Sequence, residues 1–329
     1  MIRHFPRILL LLALAFAAAV ASAAPGTRTF TVARDGSGNY PSVQEAVNAS
    51  PNYPEKDIVI FVKNGVYREK LVIPPTQSRI TIVGESRDGV VITNSDYSGK
   101  TDSAGRKFTT FTSYTCLIQA NNITCENITF ENASGPVGQA VAMHVEGDRC
   151  IFRNCRFLGN QDTLLAAGES SRQYFVDCWI EGTTDFIFGP ATAVFERCTI
   201  ESKKNSYVTA ASTPATREYG FVFLDCTLIA DSAGRQVYLG RPWRLYASTA
   251  FIHCSLGAHI RPEGWHNWNK AEAETTARYM EYGNTGPGAD TAARVRWARR
   301  LTRREAAAFT VNGILKGADK WRPGAARRD

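Results

Sequence analysis

Five short segments of this chain share one pattern: a polar residue, a cysteine, a variable residue and an apolar residue. They read Asn154-Cys155-Arg156-Phe157, Asp177-Cys178-Trp179-Ile180, Arg197-Cys198-Thr199-Ile200, Asp225-Cys226-Thr227-Leu228 and His253-Cys254-Ser255-Leu256. The cysteines are spaced by 23, 20, 28 and 28 residues. Glu126-Asn127-Ile128-Thr129-Phe130 reads as a degenerate earlier copy, with asparagine near the cysteine place. Self-similarity at such a period marks a solenoid, in which each repeat buries its apolar face only against its neighbours. The repeats must be mostly strand. Val59-Ile60-Phe61-Val62, Ile80-Thr81-Ile82-Val83, Val90-Val91-Ile92-Thr93, Phe186-Ile187-Phe188 and Phe221-Val222-Phe223-Leu224 are short β-branched or aromatic runs. Glycine, asparagine or aspartate bounds them. A β-propeller would need more regular blades of about 40–50 residues. The pattern predicts an all-β chain folded as a right-handed, single-stranded parallel β-helix. Helical periodicity is confined to residues 42–49 and 289–309, and short helices there are expected to cap the open ends.

In such a coil, equivalent residues stack about 4.8 Å apart, so the cysteines should form an internal ladder of small apolar groups. The eight cysteines are Cys116, Cys125, Cys150, Cys155, Cys178, Cys198, Cys226 and Cys254. None sits in a CxxC pair or beside histidines at metal spacing, so no zinc site is expected. Cys178 and Cys198 lie one short coil apart and form a candidate disulfide, with the reduced pair as the alternative.

The N-terminus has the layout of a secretory signal peptide. Arg3 and Arg7 precede an apolar run over residues 8–20, and Ala21-Ser22-Ala23 follows as a small-x-small cleavage site. The expected mature domain is a single unit over residues 24–329, secreted or periplasmic, and an exported chain can oxidise its thiols. No later run is long and apolar enough for a membrane span of about 20 residues. Hydrophobic residues make up 44% and charged residues 21% of the chain, which excludes intrinsic disorder. The formal charge of +7 falls to +5 without the two leader arginines. Such a balance suits an acidic polymer, a nucleic acid or an anionic membrane. Arg294, Arg296, Arg299, Arg300, Arg303 and Arg304 are read as a solvated helix face.

Asp162 and Asp185 are separated by 23 residues, as are Cys155 and Cys178. If the cysteines stack, the aspartates stack too. Two close carboxylates cannot both ionise freely, so one should hold a proton while the other stays charged. Gly159-Asn160-Gln161-Asp162-Thr163-Leu164 and Gly182-Thr183-Thr184-Asp185-Phe186-Ile187-Phe188-Gly189 place each aspartate at the mouth of a strand after a glycine turn. Gln161 and Gln139 offer amide donors for a developing oxyanion. Leu239-Gly240-Arg241-Pro242-Trp243 supplies a guanidinium able to fork onto a carboxylate and an indole able to stack on a sugar face. On spacing alone, a buried ladder of polar turn residues would serve equally well. No Gly-x-Ser-x-Gly is present, and His4, His144, His253, His259 and His266 lie outside any nucleophile-elbow context.

These runs resemble the pectinesterase (pectin methylesterase) family. The match continues through Ala33-Arg34-Asp35-Gly36-Ser37-Gly38 with Val43-Gln44-Glu45-Ala46-Val47, Gly65-Val66-Tyr67-Arg68-Glu69, Gly138-Gln139-Ala140-Val141-Ala142, Gly220-Phe221-Val222-Phe223 and Tyr279-Met280-Glu281-Tyr282-Gly283-Asn284-Thr285-Gly286-Pro287-Gly288. The resemblance spans residue 30 to the C-terminus. It implies a pectin-lyase-like β-helix that hydrolyses methyl esters of polygalacturonate to pectate and methanol, without metal or organic cofactor. It assigns Asp185 as nucleophile and Asp162 as general acid and then base. Gln161 and Gln139 become oxyanion donors, and Arg241 orients Asp185 and keeps it ionised. Thr110, Phe111, Phe188 and Trp243 fall where the family touches the polymer. The implied partner is methyl-esterified homogalacturonan, with no nucleic acid and no membrane, and the chain is expected to be a monomer. Two positions depart from the family pattern: Leu165 stands where tyrosine is frequent, and Ser113-Tyr114-Thr115 replaces Ser-Ala-Thr. Other readings of the scaffold are a pectate lyase, which would want a calcium-binding carboxylate cluster, a polygalacturonase with carboxylates about 6.5–9.5 Å apart, a non-pectin esterase, and a non-catalytic β-helical adhesin.

Overall fold

The computed structural model describes residues 27–323 apart from residue 233. The expected signal peptide lies outside these residues. Strands of successive coils pair in parallel to build an 11-stranded, an 8-stranded and a 7-stranded sheet, which wrap one apolar core as a right-handed parallel β-helix.

One coil shows how the repeat works. Arg172–Val176 belongs to the largest sheet, Trp179–Gly182 to the 8-stranded sheet and Ile187–Gly189 to the 7-stranded sheet. Asp177 makes the first corner at φ 55°. Its counterparts Asn127, Asn154, Arg197, Asp225 and His253 all lie in the left-handed region too. Hence a polar residue precedes each cysteine: the corner needs positive φ, and a side chain there points outward to water. The cysteine that follows turns inward. In the degenerate copy, the pairing of Thr129 with Arg156 puts Ile128 in the cysteine place and Asn127 in the corner.

Three residues ahead of each repeat cysteine stands a phenylalanine: Phe152, Phe175, Phe195, Phe223 and Phe251. Their rings form a continuous stack with centroids 4.7, 4.8, 4.6 and 4.4 Å apart. Each pair adds about 0.5–1.5 kcal/mol beyond its area burial, so this column is a main spine of the fold.

All eight cysteines are buried free thiols, which corrects the candidate Cys178–Cys198 disulfide. In-register parallel neighbours hold their Cβ atoms side by side at about the 4.8 Å strand spacing, whereas a disulfide wants about 3.8 Å. The two thiols instead donate to carbonyls of the preceding coil: Cys178 Sγ to Phe152 O at 3.5 Å and Cys198 Sγ to Phe175 O at 3.5 Å.

The helix Val43–Asn48 closes the N-terminal end as expected. Ser42 Oγ accepts the Glu45 N–H, the Glu69 carboxylate accepts those of Val43 and Gln44, and Val43, Ala46 and Val47 enter the core. The C-terminal end differs from expectation. Residues 289–309 form no long helix; a 3-10 turn at Pro287–Ala289, a two-residue strand Arg299–Arg300 and the short helix Arg303–Ala306 occupy that region. An aromatic plug closes this end instead, with Trp265 stacked on Tyr279 at 4.3 Å and Trp297 against Tyr279 at 5.6 Å. Arg294 is not on a solvated face: its side chain is 5% exposed and forks onto Glu281 at 2.9 and 3.2 Å. The following helix, Val311–Leu315, lies on the outer face of the largest sheet, where Ile314 and Leu315 join a cluster with Tyr174, Val194 and Val222.

Candidate active site

The outer face of the 7-stranded sheet carries a cleft of about 280 Å³. Thr110, Phe111, Gln139, Gln161, Asp162, Asp185, Phe188, Arg241 and Trp243, every site residue expected from the sequence, line it. The repeat brings the aspartates there. Leu164 pairs with Ile187 and Leu165 with Phe188, so Asp162 and Asp185 occupy equivalent places on consecutive coils. Both aspartates lie in the left-handed region, at φ 66° and 50°. Such a conformation is strained for a residue with a Cβ and is concentrated at functional sites. The turn before Asp185 requires Gly182, because a Cβ there would sit 2.2 Å from Phe186 Cβ and 2.6 Å from Asn160 O.

The two carboxylates differ in their partners. Arg241 Nε donates to Asp185 Oδ1 at 2.9 Å and Nη2 to Oδ2 at 2.6 Å, a bidentate fork on a largely buried floor. Asp162 receives no such fork. Burial raises its carboxyl to about 8, the adjacent Asp185 charge adds to the rise, and Arg241 opposes it. Burial raises Asp185 as well, but the hydrogen bonds and charge of Arg241 pull it back. The fork thus favours the negative charge on Asp185 and the proton on Asp162.

Gln139 and Gln161 pair as an isolated parallel bridge between consecutive coils. Ser98 N–H binds Gln139 O at 2.9 Å and Ala140 N–H binds Gln161 O at 3.1 Å. These bonds hold both backbones, and both glutamines line the cleft together with the two aspartates. Phe188 sits under the cleft floor with Trp243 tilted against it at 5.9 Å. Phe111, on the 3-10 turn Thr110–Thr112, is half exposed at the rim. Leu165 packs under the cleft with Phe188, Val141 and Ala210, and Tyr114 lies against the same cluster. Both departures from the resemblance thus sit beneath or beside the cleft, outside the carboxylate pair.

Sequence reasoning missed Trp268, Ala210 and Tyr207. Trp268 and Ala210 line the cleft, and the Arg241 guanidinium is sandwiched between the rings of Trp268, 3.6 Å away, and Tyr207, 3.9 Å away. Two tryptophans spaced by three in Trp265-His266-Asn267-Trp268 were the available signal, but only Trp268 reaches the site; Trp265 enters the plug. Among the described residues, no cluster of three histidine, cysteine, aspartate or glutamate side chains is placed to hold a metal.

Comparison with known proteins agrees in fold and in extent. A family profile described as Pectinesterase matches residues 29–318. Pectinesterase 31 of Arabidopsis thaliana is 40% identical over 296 residues, covering 88% of this chain and 92% of that protein. The chain spans about half the length of relatives described as probable pectinesterase/pectinesterase inhibitor. The solved structure of a pectin methylesterase from carrot superposes with a TM-score of 0.82 at 36% identity, covering 91% of this chain and 96% of that one. A mutant pectin methylesterase solved in complex with a hexasaccharide gives 0.79 at 30% identity, covering 90% and 98%.

Proposed function

This chain belongs to the pectinesterase family and is a carboxylic ester hydrolase that demethylesterifies pectin; we propose that Asp185 is its nucleophile and Asp162 its proton donor and then its base. One observation carries the assignment: of two stacked carboxylates, only Asp185 is forked by a guanidinium, so charge and proton are divided between them.

The geometry supports a two-step reaction. An Asp185 oxygen attacks the methyl ester carbonyl carbon, and the carboxamides of Gln139 and Gln161 donate to the oxyanion that develops. The tetrahedral adduct collapses by breaking the bond to the methoxy oxygen. Asp162 delivers its proton to that oxygen, methanol leaves, and an acyl anhydride joins Asp185 to the sugar carboxyl. Asp162, now a carboxylate, takes a proton from water as the water oxygen attacks the anhydride. Cleavage of the anhydride frees the sugar group as its carboxylic acid, which gives its proton to solvent as it departs; Asp185 regains its charge, and Asp162 keeps the proton taken from water. Arg241 holds Asp185 in the orientation for attack and favours its ionised form. No metal or organic cofactor takes part in this scheme.

Thr110, Phe111, Phe188 and Trp243 are proposed to contact the homogalacturonan chain, with apolar ring faces against sugar faces. We further propose that the leader is removed near Ala23, that the mature domain begins there, and that it works as a monomer in the periplasm or outside the cell. Nucleic acid and membrane are not its proposed partners; no helix among the described residues is long and apolar enough to span a bilayer.

Highly methylated pectin tests the reading with three readouts from one mixture. Methanol and acid should appear without new reducing ends and without an unsaturated sugar absorbing in the ultraviolet, at a rate unchanged by a chelator. Chain cleavage without methanol would overturn it, and a calcium requirement for cleavage would indicate a lyase.

A further inference from the structure

Arg241 is held from three directions. Its fork meets Asp185, Tyr207 covers one face and Trp268 the other. Tyr207 sits at the start of a sheet strand, Tyr207–Ala211, and stacks on Tyr238 of the next coil at 5.3 Å. The Trp268 ring packs against the Phe188 and Ala210 cluster with Lys270 Nζ 4.9 Å over it, but its backbone belongs to no strand. It lies on an irregular loop with φ 59°, followed by Asn269 at φ 57°. A tryptophan in the left-handed region is an outlier that persists only where its surroundings enforce it.

Two side chains enforce it, each accepting the N–H two residues ahead. His266 Nδ1 accepts the Trp268 N–H at 3.0 Å, and Asn267 Oδ1 accepts that of Asn269 at 2.8 Å. The far end of the loop is pinned by Lys270 Nζ, which donates to Pro242 O at 3.2 Å and Trp243 O at 3.0 Å. The imidazole itself is wedged against Tyr207 and Tyr238, with ring centroids 5.6 and 5.4 Å away, while the His266 N–H binds Gly240 O at 3.1 Å. His266 thus touches both the strand residue below Arg241 and the backbone of the indole above it.

We propose that His266 is a positioning residue for this esterase: as a neutral hydrogen-bond acceptor it fixes Trp268 over Arg241 and so keeps the guanidinium fork aligned on Asp185. This inference rests on the reading of Arg241 and Asp185 given above. Acceptance at Nδ1 puts the ring proton on Nε2. Protonation of Nδ1 would replace the acceptor by a donor and release the Trp268 N–H. The groups facing the ring are Tyr207 and Tyr238 from the strands, Arg241 beside it and Arg261, which lies 4.8 Å over the Tyr238 ring. Burial and the two arginines all disfavour the imidazolium and hold the ring below its ordinary value. The acceptor is therefore in place at neutral pH and is lost only on the acid side.

The test compares His266→Leu with His266→Asn on methylated pectin across the acid range, with thermal melting as a check on folding. Asparagine can accept the same N–H in an Asx turn and does not titrate. In His266→Leu, kcat should fall about tenfold while KM stays within about twofold, since misalignment costs the transition state more than binding. His266→Asn should recover kcat, and its acid limb should move to lower pH than that of the wild type. A wild-type kcat in His266→Leu would overturn the proposal. So would an Asn variant as impaired as the Leu variant, because packing alone would then explain the loss. If the Leu variant does not fold, an unshifted acid limb in His266→Asn refutes the idea by itself. Asp185→Asn, assayed alongside, separates the two levels: substantial turnover there would defeat the nucleophile assignment, whatever His266 does.

Discussion

Replacing Asp162 by asparagine should abolish turnover and make the protein more stable at neutral pH. The native carboxyl is raised from 3.8 to about 8, chiefly by burial and then by the Asp185 charge. In the unfolded chain it returns to the ordinary value. Below pH 3.8 both states hold the proton and the residue contributes no pH-dependent difference. As pH rises through the window from 3.8 to about 8, the unfolded chain releases the proton and the native state keeps it. Folding then binds a proton, and native stability falls by about 1.4 kcal/mol per pH unit. At about pH 7 the accumulated penalty is on the order of 4 kcal/mol, and it levels off above the native pKa. Solvent screening reduces it little, because Asp162 is only 6% exposed. Asparagine keeps the shape and carries no titratable proton, so it escapes the penalty. Urea denaturation of both proteins over this pH range measures the difference. The stabilities should converge near about pH 4 and diverge progressively up to about pH 8, the variant being the more stable. A gap independent of pH, or a less stable variant at neutral pH, would refute the argument that burial and charge repulsion confine the proton to Asp162.

Asp185→Asn should leave fold and polymer binding intact and reduce turnover below a tenth of wild type, as followed by methanol release. Arg241→Lys keeps the charge but loses the planar fork, and its rate should fall on the order of a hundredfold; a wild-type rate would confine the arginine to polymer binding. Gln161→Ala and Gln139→Ala should each lower kcat by about 2.7–4 kcal/mol equivalent, with KM nearly unchanged; an effect confined to KM would move them from the oxyanion to the substrate. Thiol titration of the denatured, unreduced protein should count eight free cysteines, and a reductant should not shift its melting; a missing pair would restore the disulfide.

The solenoid and its catalytic dyad were legible in the sequence because a parallel coil converts linear spacing into contact. Cys155 and Cys178 mark equivalent corners, so residues at equal distance after them, Asp162 and Asp185, had to meet. The structure adds the local reason for the pattern: a polar residue fills each left-handed corner, and a serine caps the first helix. The phenylalanine column was present in the same repeats, three residues ahead of each cysteine. The spacing said nothing of which aspartate Arg241 would fork, 56 residues away, because the repeats between them vary in length. Division of proton and charge between the dyad depends on burial and on that fork, and both exist only once four coils have packed. The same holds for Trp268, whose place over Arg241 comes from an irregular loop folded back by His266, Asn267 and Lys270. At the C-terminal end, arginine and alanine over residues 289–309 have good helix propensity. Tertiary packing overrode it there, since the open solenoid needed an aromatic plug and a partner for the buried Glu281 more than another helix.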